Sequence, residues 1–291
     1  MNNIKVSVII SACDGRIKLF ENSLYTYYKQ NFPKKFFEIL VIDDKDRVEV
    51  CSLCKEFNKN FGLNFQYIKI DPTKINYHTN SFTPALTNNI GFKLALGDVV
   101  VISGPETLIC ENNIKIASTM INRKECAYGL VFRSSYEFNE HLSDDKNWKL
   151  NNFSYLLNIP GARSDCRTCP PHPPAYWYFM AVNKTYVFAI HGVDERFLNG
   201  LCAEDDDFAN RMKFLGINPV FEHRMIGIHQ DHSIVDKNDE VHNVRFTKKF
   251  NQLKSNNLIL MKENLLSKNP ISNNNIEWGN LEAIVSKEIL Y

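Results

Sequence analysis

The sequence predicts an α/β protein whose mostly parallel β-sheet is flanked by helices. In the first half of the 291-residue chain, short apolar runs rich in β-branched residues alternate with amphipathic helical segments. This alternation is typical of parallel strands connected by helices. Hydrophobic residues make up 44% of the chain, enough for one large domain or two closely packed ones. The net charge of +1 argues against a nucleic-acid binder that relies on a basic field.

Four strands and three helices are predicted in the first half. The strands are 5–11, 37–44, 64–70 and 99–103, and the helices are 17–30, 48–60 and 83–96. Polar residues follow three of these strands, at 11–16, 43–44 and 103–106. Because ligands bind at the carboxyl ends of the strands in open parallel sheets, we expect the site at this edge.

The second half is predicted to be less regular, with a helical tail. Its elements are a helix at 114–122, strands at 127–132 and 176–182, a helix at 185–191, and strands at 219–222 and 225–228. The stretch 133–175, which contains five prolines, is predicted to be a long irregular loop. After residue 237 the chain is polar, with helical patches near 241–266 and 278–289.

Four consecutive carboxylates, Glu204 to Asp207, precede a helix predicted at Phe208–Leu215. Like charges side by side raise one another's proton affinity unless a cation or a substrate hydroxyl compensates. A helix N-terminus tolerates acidic residues, but capping needs only one of them. The surplus indicates a catalytic base or a metal site.

A phosphate-bearing ligand would need a metal ion here. The sequence has no GxxxxGK[ST] loop, and no GxGxxG follows the first strand. Carboxylates that hold a divalent ion are the natural substitute, and Glu106 and His229 are candidate ligands, with His232 as a local partner of His229. Asp43 and Asp44 either accept hydrogen bonds from a ribose or base, or only cap the next helix. An exposed turn position is the alternative for Glu106.

The eight cysteines are predicted to be free thiols. Two CxxC pairs, Cys51/Cys54 and Cys166/Cys169, could together enclose zinc. The first pair, however, suits the buried stripe of a helix, and the second lies in a proline-rich loop. Buried or loop thiols are therefore the favoured interpretation.

Several segments, in order, resemble the family 2 glycosyltransferases of the GT-A fold, of the bacterial surface-polysaccharide type. The resemblance covers roughly residues 4–232. The segments are Val6 to Arg16 as the first strand and nucleotide loop, Glu38 to Asp44 as the second strand, Asn89-Ile90-Gly91 with Ala95-Leu96-Gly97-Asp98 as the N-x-G…A-x-G-D signature, Asp194 to Phe197 as the lead-in, and Glu204 to Arg211 as the E-D-x-D-[LF]-x-x-R segment. Where the family has its DxD metal motif, this chain has Gly104-Pro105-Glu106, which puts metal dependence in question.

The resemblance implies an inverting transfer from a nucleotide-sugar, with a UDP-sugar as the expected donor. Asp205, in preference to Glu204, would be the base, and Glu106 and His229 would hold Mg²⁺ or Mn²⁺. The nucleotide would contact Ser11, Asp14, Asp43, Asp44 and Asn89, and the sugar or acceptor would contact Arg163, His172, Tyr176 and Trp177. The implied division is a nucleotide-sugar-binding half at 1–110, an acceptor and base half at 111–235, and a helical extension at 236–291.

The expected partners are the donor and a glycan or lipid-linked acceptor, without nucleic acid. No apolar run reaches the roughly 20 residues of a membrane span, so a cytoplasmic protein is predicted. The Lys-rich tail fits either a peripheral contact at the inner face of the membrane or a surface-packed helix pair, which is favoured. Two other functions stay open: a nucleotidyltransferase on a similar scaffold, and a catalytically silent nucleotide-sugar or glycan-binding protein.

Overall fold

The computed structural model describes residues 4–12, 15–71, 74, 84–166, 168, 176–200, 202–232, 248–274 and 277–291. Its strands are β1 Val6–Ser11, β2 Phe37–Asp43, β3 Phe65–Ile70, β4 Val99–Ser103, β5 Thr107–Ile109, β6 Glu125–Arg133, β7 Asp165–Cys166, β8 Phe179–Asn183, β9 Asn218–His229 and β10 Ile284–Leu290. Its α-helices are α1 Ile17–Tyr28, α2 Val48–Phe61, α3 Pro84–Leu94, α4 Asn113–Ala117, α5 Tyr136–Asp144, α6 Phe153–Asn158, α7 Lys184–Ala189, α8 Glu204–Phe214 and α9 Lys248–Ser267. Short 3₁₀ segments lie at Lys34–Phe36, Ser118–Asn122, Lys146–Leu150, Tyr176–Tyr178, Glu195–Asn199 and Leu281–Ala283.

The strands form one sheet in the order β10-β3-β2-β1-β4-β8-β6-β9-β5, with β7 paired to β6. The central strand β1 is parallel to both β2 and β4, and β2 is parallel to β3. Strand β8 runs antiparallel to β4 and carries the sheet into the second half of the chain. The predicted α/β architecture with a central, mostly parallel sheet is therefore confirmed, and antiparallel strands extend it on both sides.

The continuous apolar run of β1 follows from burial of both faces of the sheet. Val8 and Ile10 lie in one core cluster with Leu24 of α1, and Ile9 lies in the cluster on the opposite face. A strand covered on both faces needs no polar alternation. On the Ile9 side, a Cβ on Gly91 of α3 would lie 2.5 Å from the Ile9 side chain, so this glycine lets α3 approach β1 closely.

The prediction of an irregular loop over 133–175 is wrong for its first part. The described residues there form α5, a 3₁₀ segment and α6, which enclose a third core cluster. Phe138 and Leu142 lie one helical turn apart on α5 and are buried, and Trp148 is fully buried. Helices α5 and α6 are short and each buries two apolar residues. Their hydrophobic periodicity is therefore too brief to stand out beside the prolines.

The predicted end of the tail is also wrong. Helix α9 confirms a helical patch at 241–266, but Ile284–Leu290 is a strand, β10, that pairs antiparallel with β3. The last segment therefore belongs to the same sheet as the first half. Two further boundaries differ: β9 is one strand with a register shift where two were predicted, and residues 176–178 are 3₁₀ before β8 begins.

Among the described cysteines, one departs from the prediction. Cys166 is disulfide-bonded, whereas Cys51, Cys54, Cys110, Cys126 and Cys202 form no disulfide. Cys13 and Cys169 lie outside the described residues. A cysteine in a disulfide offers no thiolate to zinc, so the four-thiolate site is not formed in this state. Separately, the described helices include none with the length and apolar character to cross a membrane.

Candidate active site

Glu106, His229 and His232 form a cluster of metal-ligand type at the end of β4. Their ligand atoms all lie within 4.8 Å of one another, and the His229 Nε2 atom is 2.8 Å from Glu106 Oε1. The pairing of β5 with β9 causes this proximity, because Thr107, next to Glu106, is in register with His229. The exposed-turn alternative for Glu106 is wrong, since the residue is only 4% exposed.

A third charge completes the surroundings of Glu106. Arg16, in the loop after β1, donates from Nη1 to Glu106 Oε2 at 3.2 Å. Burial alone would raise the pKa of Glu106, but Arg16 and His229 outweigh it and hold that pKa well below its usual range. Burial also lowers the pKa of His229, against the pull of Glu106. The cluster therefore presents an ionised carboxylate beside a predominantly neutral imidazole, the forms that bind a cation.

Gln230 fixes the position of the Glu106 loop. Its side-chain Nε2 donates to the Glu106 carbonyl at 3.0 Å and to the Leu19 carbonyl at 2.9 Å, and its backbone N–H also donates to Glu106. Asn22 of α1 donates to Gln230 Oε1 at 2.8 Å. This buried network is what a precise ligand position requires.

The acidic helix begins earlier than predicted, at Glu204, so all four carboxylates lie in its first turn. Glu204 is buried, and it faces a small cavity lined mainly by apolar groups such as Pro84 and Leu198. Burial, and then the charge of Asp205, raise the pKa of Glu204 to about 8. Burial, and then the charge of Asp206, raise the pKa of Asp205 to about 7. Both groups are thus tuned toward proton transfer near neutral pH.

Asp207, in contrast, is structural. Its carboxylate accepts from Arg211 Nε at 2.7 Å and from Asn264 of α9 at 2.9 Å. Arg211 also donates to Asp194 at 2.8 Å. Asp207 therefore belongs to a buried ion-pair network. The other three carboxylates, Glu204 and the half-buried Asp205 and Asp206, remain candidates for the catalytic base.

The 3₁₀ segment Tyr176–Tyr178 joins the two clusters. The Tyr178 ring stacks on His229 with centroids 4.2 Å apart, and the Tyr176 backbone lies close enough to the Asp205 carboxylate to lower its pKa. With a rise of about 2.0 Å per residue, positions 176 and 178 are about 4 Å apart along the axis. The structure therefore connects the predicted base to the predicted metal ligands through the segment that contains the predicted sugar contacts Tyr176 and Trp177.

The predicted nucleotide contacts differ in what their side chains already bind. Ser11 shares a 2.6 Å hydrogen bond with Thr87. Asp43 is fully buried and accepts from the backbone N–H groups of Lys45 and Arg47 and from the Tyr67 hydroxyl. Asp43 therefore holds the turn before α2, whose N-cap residue is Arg47, and its expected contact with the nucleotide stays a prediction.

Asp44 and Asn89 occupy contrasting positions. Asp44 accepts from Arg47 at 3.0 Å and lies at the strand end, where a ligand can reach it. Asn89 is fully buried, donates to Val193 and Glu195, and accepts from the Val193 N–H at 2.7 Å. Asn89 therefore ties α3 to the segment before the acidic helix, and its expected nucleotide contact stays a prediction.

Of the three remaining predicted site residues, the structure describes only Arg163. Arg163 is exposed, in a turn whose Gly161 carbonyl accepts from Ser135; the neighbouring Ser134 N–H donates to His229. Asp14 and His172 lie outside the described residues.

Sequence reasoning did not assign roles to Arg16, Tyr178 or Arg47. Arg16 could have been recognised as the one cation of the loop after β1, but its contact with Glu106 depends on a sequence separation of 90 residues. Because residues 176–182 were predicted to form a strand, the contact of the Tyr178 ring with His229 was not expected.

No protein-family model matches the chain. Curated relatives do match, among them two enzymes from different organisms. The poly(ribitol-phosphate) beta-N-acetylglucosaminyltransferase TarS of Staphylococcus aureus is 25% identical over 119 residues, 41% of this chain and 19% of TarS. The dolichyl N-acetyl-alpha-D-glucosaminyl phosphate 3-beta-D-2,3-diacetamido-2,3-dideoxy-beta-D-glucuronosyltransferase of Methanococcus voltae is 31% identical over 114 residues, 38% of this chain and 33% of that enzyme. The chain thus spans less than two thirds of either relative.

Solved structures show the same fold. S. aureus TarS 1–349 in complex with UDP-GlcNAc has a TM-score of 0.53 at 16% identity, covering 88% of this chain and 66% of that one. The mannosyltransferase PcManGT of Pyrobaculum calidifontis, in complex with GDP-Man and Mn²⁺, has a TM-score of 0.52 at 14% identity, covering 91% and 72%. The chain has a GT-A-type fold, as the resemblance predicted, and these sequence and structural relatives are glycosyltransferases.

Proposed function

We propose that this protein is an inverting glycosyltransferase that moves a sugar from a nucleotide-sugar, first of all a UDP-sugar, to a hydroxyl group of a glycan or a lipid-linked acceptor. The observation that carries the proposal is the Tyr176–Tyr178 segment, which contacts Asp205 at one end and His229 at the other. A leaving diphosphate and an attacking hydroxyl must meet on opposite sides of one sugar, and a cation-binding cluster beside a raised-pKa carboxylate suits that geometry. Family 2 membership and a surface-polysaccharide role are part of the same proposal.

Glu106, His229 and His232 are the residues that would hold the divalent ion. One carboxylate and two imidazoles suit Mn²⁺ better than Mg²⁺, which prefers oxygen ligands. When bound, such an ion would neutralise the diphosphate charge that develops as the leaving group departs. Arg16 adds a fixed positive charge at the same edge of the sheet. The nucleotide would lie against the ends of β1 and β2, at Ser11, Asp14 and Asp44, with Asp43 holding the turn.

Asp205 is the proposed base. As the acceptor oxygen bonds to the anomeric carbon, the bond from that carbon to the diphosphate oxygen breaks, and the nucleoside diphosphate leaves with the electron pair. The acceptor proton passes to the Asp205 carboxylate. Asp205 is half-buried, whereas Glu204 is 8% exposed and faces an apolar cavity, so an acceptor reaches Asp205 more readily.

Trp177 is the best supported sugar contact. Its indole Nε1 is buried and has no hydrogen-bond partner among the described residues. A buried donor without a partner is costly, so a sugar oxygen is a natural acceptor for it. Tyr176, Arg163 and His172 complete the proposed sugar and acceptor contacts.

A lipid-linked acceptor is supported by helix α9. Leu258, Ile259 and Leu266 are 43%, 55% and 76% exposed there, and the exposed Lys262 lies among them. Such a face fits peripheral contact with an anionic membrane surface, which we propose to be the cytoplasmic face.

Donor binding tests the proposal. Calorimetric titration with UDP, GDP and dTDP, each with and without Mn²⁺, should show one nucleotide that binds and whose affinity Mn²⁺ strengthens. Glu106→Gln should remove the Mn²⁺ effect, while the exposed Glu140→Gln on α5 should keep it. Binding without turnover would favour the silent nucleotide-sugar-binding alternative, and turnover of a nucleoside triphosphate would favour the nucleotidyltransferase. Absence of binding by all three nucleotides would contradict the proposal.

A further inference from the structure

The turn that leads into the acidic helix has an unusual backbone. Cys202 and Ala203, which directly precede Glu204, have φ angles of 66° and 72°. This left-handed conformation is unfavourable for residues that carry a Cβ atom, and two in succession persist only where surrounding contacts impose them. The direction in which Glu204 and Asp205 leave the turn depends on this conformation.

Asn257 of α9 supplies contacts that hold the turn. Its side-chain Nδ2 donates to the Phe197 carbonyl at 3.1 Å and to the Cys202 carbonyl at 2.9 Å, and the residue is 2% exposed. One amide thus binds both ends of the segment 197–202. A Cβ on Gly200 would overlap the Asn257 side-chain oxygen and lie 2.6 Å from the Leu253 carbonyl oxygen, so the turn packs directly on α9.

A second asparagine, two helical turns further along α9, holds the body of the acidic helix. Asn264 donates to Asp207 at 2.9 Å and accepts from Arg196 at 2.8 Å. Asn257 and Asn264 are seven residues apart and lie on the same, buried face of α9, whereas Leu258 and Ile259 are exposed. The face of α9 toward the protein is therefore polar where it meets the turn and the helix.

We propose that Asn257 is a positioning residue for the catalytic base: by holding the Phe197 and Cys202 carbonyls it sets the orientation of Glu204 and Asp205. The inference rests on the proposed function. Asn257 touches neither the donor nor the acceptor; it acts through the backbone of the turn. Its loss should therefore affect the chemical step and leave nucleotide binding at the ends of β1 and β2 unchanged.

Asn257→Leu tests this, because leucine keeps the branched shape and the number of heavy atoms of asparagine and removes both hydrogen bonds. The matched control is Asn251→Leu, at an exposed position of the same helix. We expect Asn257→Leu to lower kcat at least tenfold, to leave the donor KM and UDP affinity within twofold, and to move the acid limb of the pH–rate profile to lower pH as water reaches the carboxylates. Hydrogen exchange of the segment 197–207 should become at least tenfold faster in this variant.

Gly200→Ala approaches the same contact from the turn and covers the case in which Asn257→Leu does not fold. Gly200 has an extended backbone, so alanine fits its φ angle; its Cβ would displace the Asn257 amide and press on the Leu253 carbonyl of α9. It should reproduce the loss of kcat and the faster exchange. Unchanged kcat and an unchanged acid limb in a folded variant would overturn the proposal, even if exchange is faster. Absence of both turnover and nucleotide binding in the wild-type protein would instead refute the proposed function, and both are measured before any variant is compared.

Discussion

Replacing Asp206 by Asn should move the acid limb of the pH–rate profile to lower pH. Asp206 follows Asp205 in the first turn of α8, and after burial its charge is the largest cause of the raised pKa of Asp205. With that charge removed, Asp205 ionises more readily. Because the carboxylate form of Asp205 is the proposed base, more of the enzyme is active below pH 7.

The size of the shift follows from Coulomb's law. Two unit charges about 6 Å apart interact by about 0.7 kcal/mol in water and about 3 kcal/mol at an effective dielectric constant of 20. At about 1.4 kcal/mol per pKa unit, this corresponds to a shift of about half a unit to two units. Both carboxylates are half-buried, so we expect about one unit, from about 7 in the wild-type protein to about 6 in the variant.

The assay is kcat/KM from pH 5 to 9 at constant ionic strength, because added salt screens the interaction. With a pKa near 7, about a tenth of the wild-type enzyme is in the active form at pH 6, whereas with a pKa near 6 about half of the variant is active. When each activity at pH 6 is divided by that enzyme's own high-pH plateau, the variant should exceed the wild-type protein about fivefold. Asp144→Asn, at an exposed position of α5, should not shift the limb. A limb that stays in place or moves upward in Asp206→Asn would show that the limb does not report the ionisation of Asp205.

Three further outcomes are expected. The folded-state pKa values of Glu204 and Asp205 are raised above their ordinary values. Their contribution to stability is therefore complete below about pH 4 and is lost as pH rises through about 7 to 8. Tm should fall as pH rises from about 4 to about 8, and Glu204→Gln should reduce that fall. Arg211→Leu should cost about 3–5 kcal/mol in the free energy of unfolding by denaturant, because it leaves the buried Asp207 without its cation; an unchanged midpoint would contradict a structural ion pair. Trp177→Phe should raise the donor or acceptor KM about threefold to tenfold by removing one hydrogen bond, and an unchanged KM for both substrates would exclude the indole as a contact.

The first half of the fold could be predicted because its strands are buried on both faces. Runs such as Val6–Ser11 and Val99–Ser103 are continuous and apolar, and the polar residues that interrupt them mark the strand ends. The same logic located Glu106, and the run of four carboxylates located the acidic helix. Each of these signals is contained in fewer than a dozen consecutive residues.

The second half depends on contacts that a local pattern does not contain. Strand β10 exists because it pairs with β3, more than two hundred residues earlier in the chain. Helix α9 reverses the usual rule: its apolar Leu258 and Ile259 are exposed, while Asn257 and Asn264 are buried. A hydrophobic-periodicity argument therefore orients this helix the wrong way and overlooks the residues that hold the acidic helix.

The most direct test of the central claim is donor hydrolysis by the purified protein. UDP-, GDP- and dTDP-sugars are incubated with and without Mn²⁺, and released nucleoside diphosphate is measured for the wild-type protein, Asp205→Asn and the control Asp144→Asn. We predict slow release from one donor, stimulated by Mn²⁺, kept in the control and lost in Asp205→Asn. Release that survives Asp205→Asn would place the base elsewhere, and no release from any donor, together with no nucleotide binding, would contradict the nucleotide-sugar transferase account.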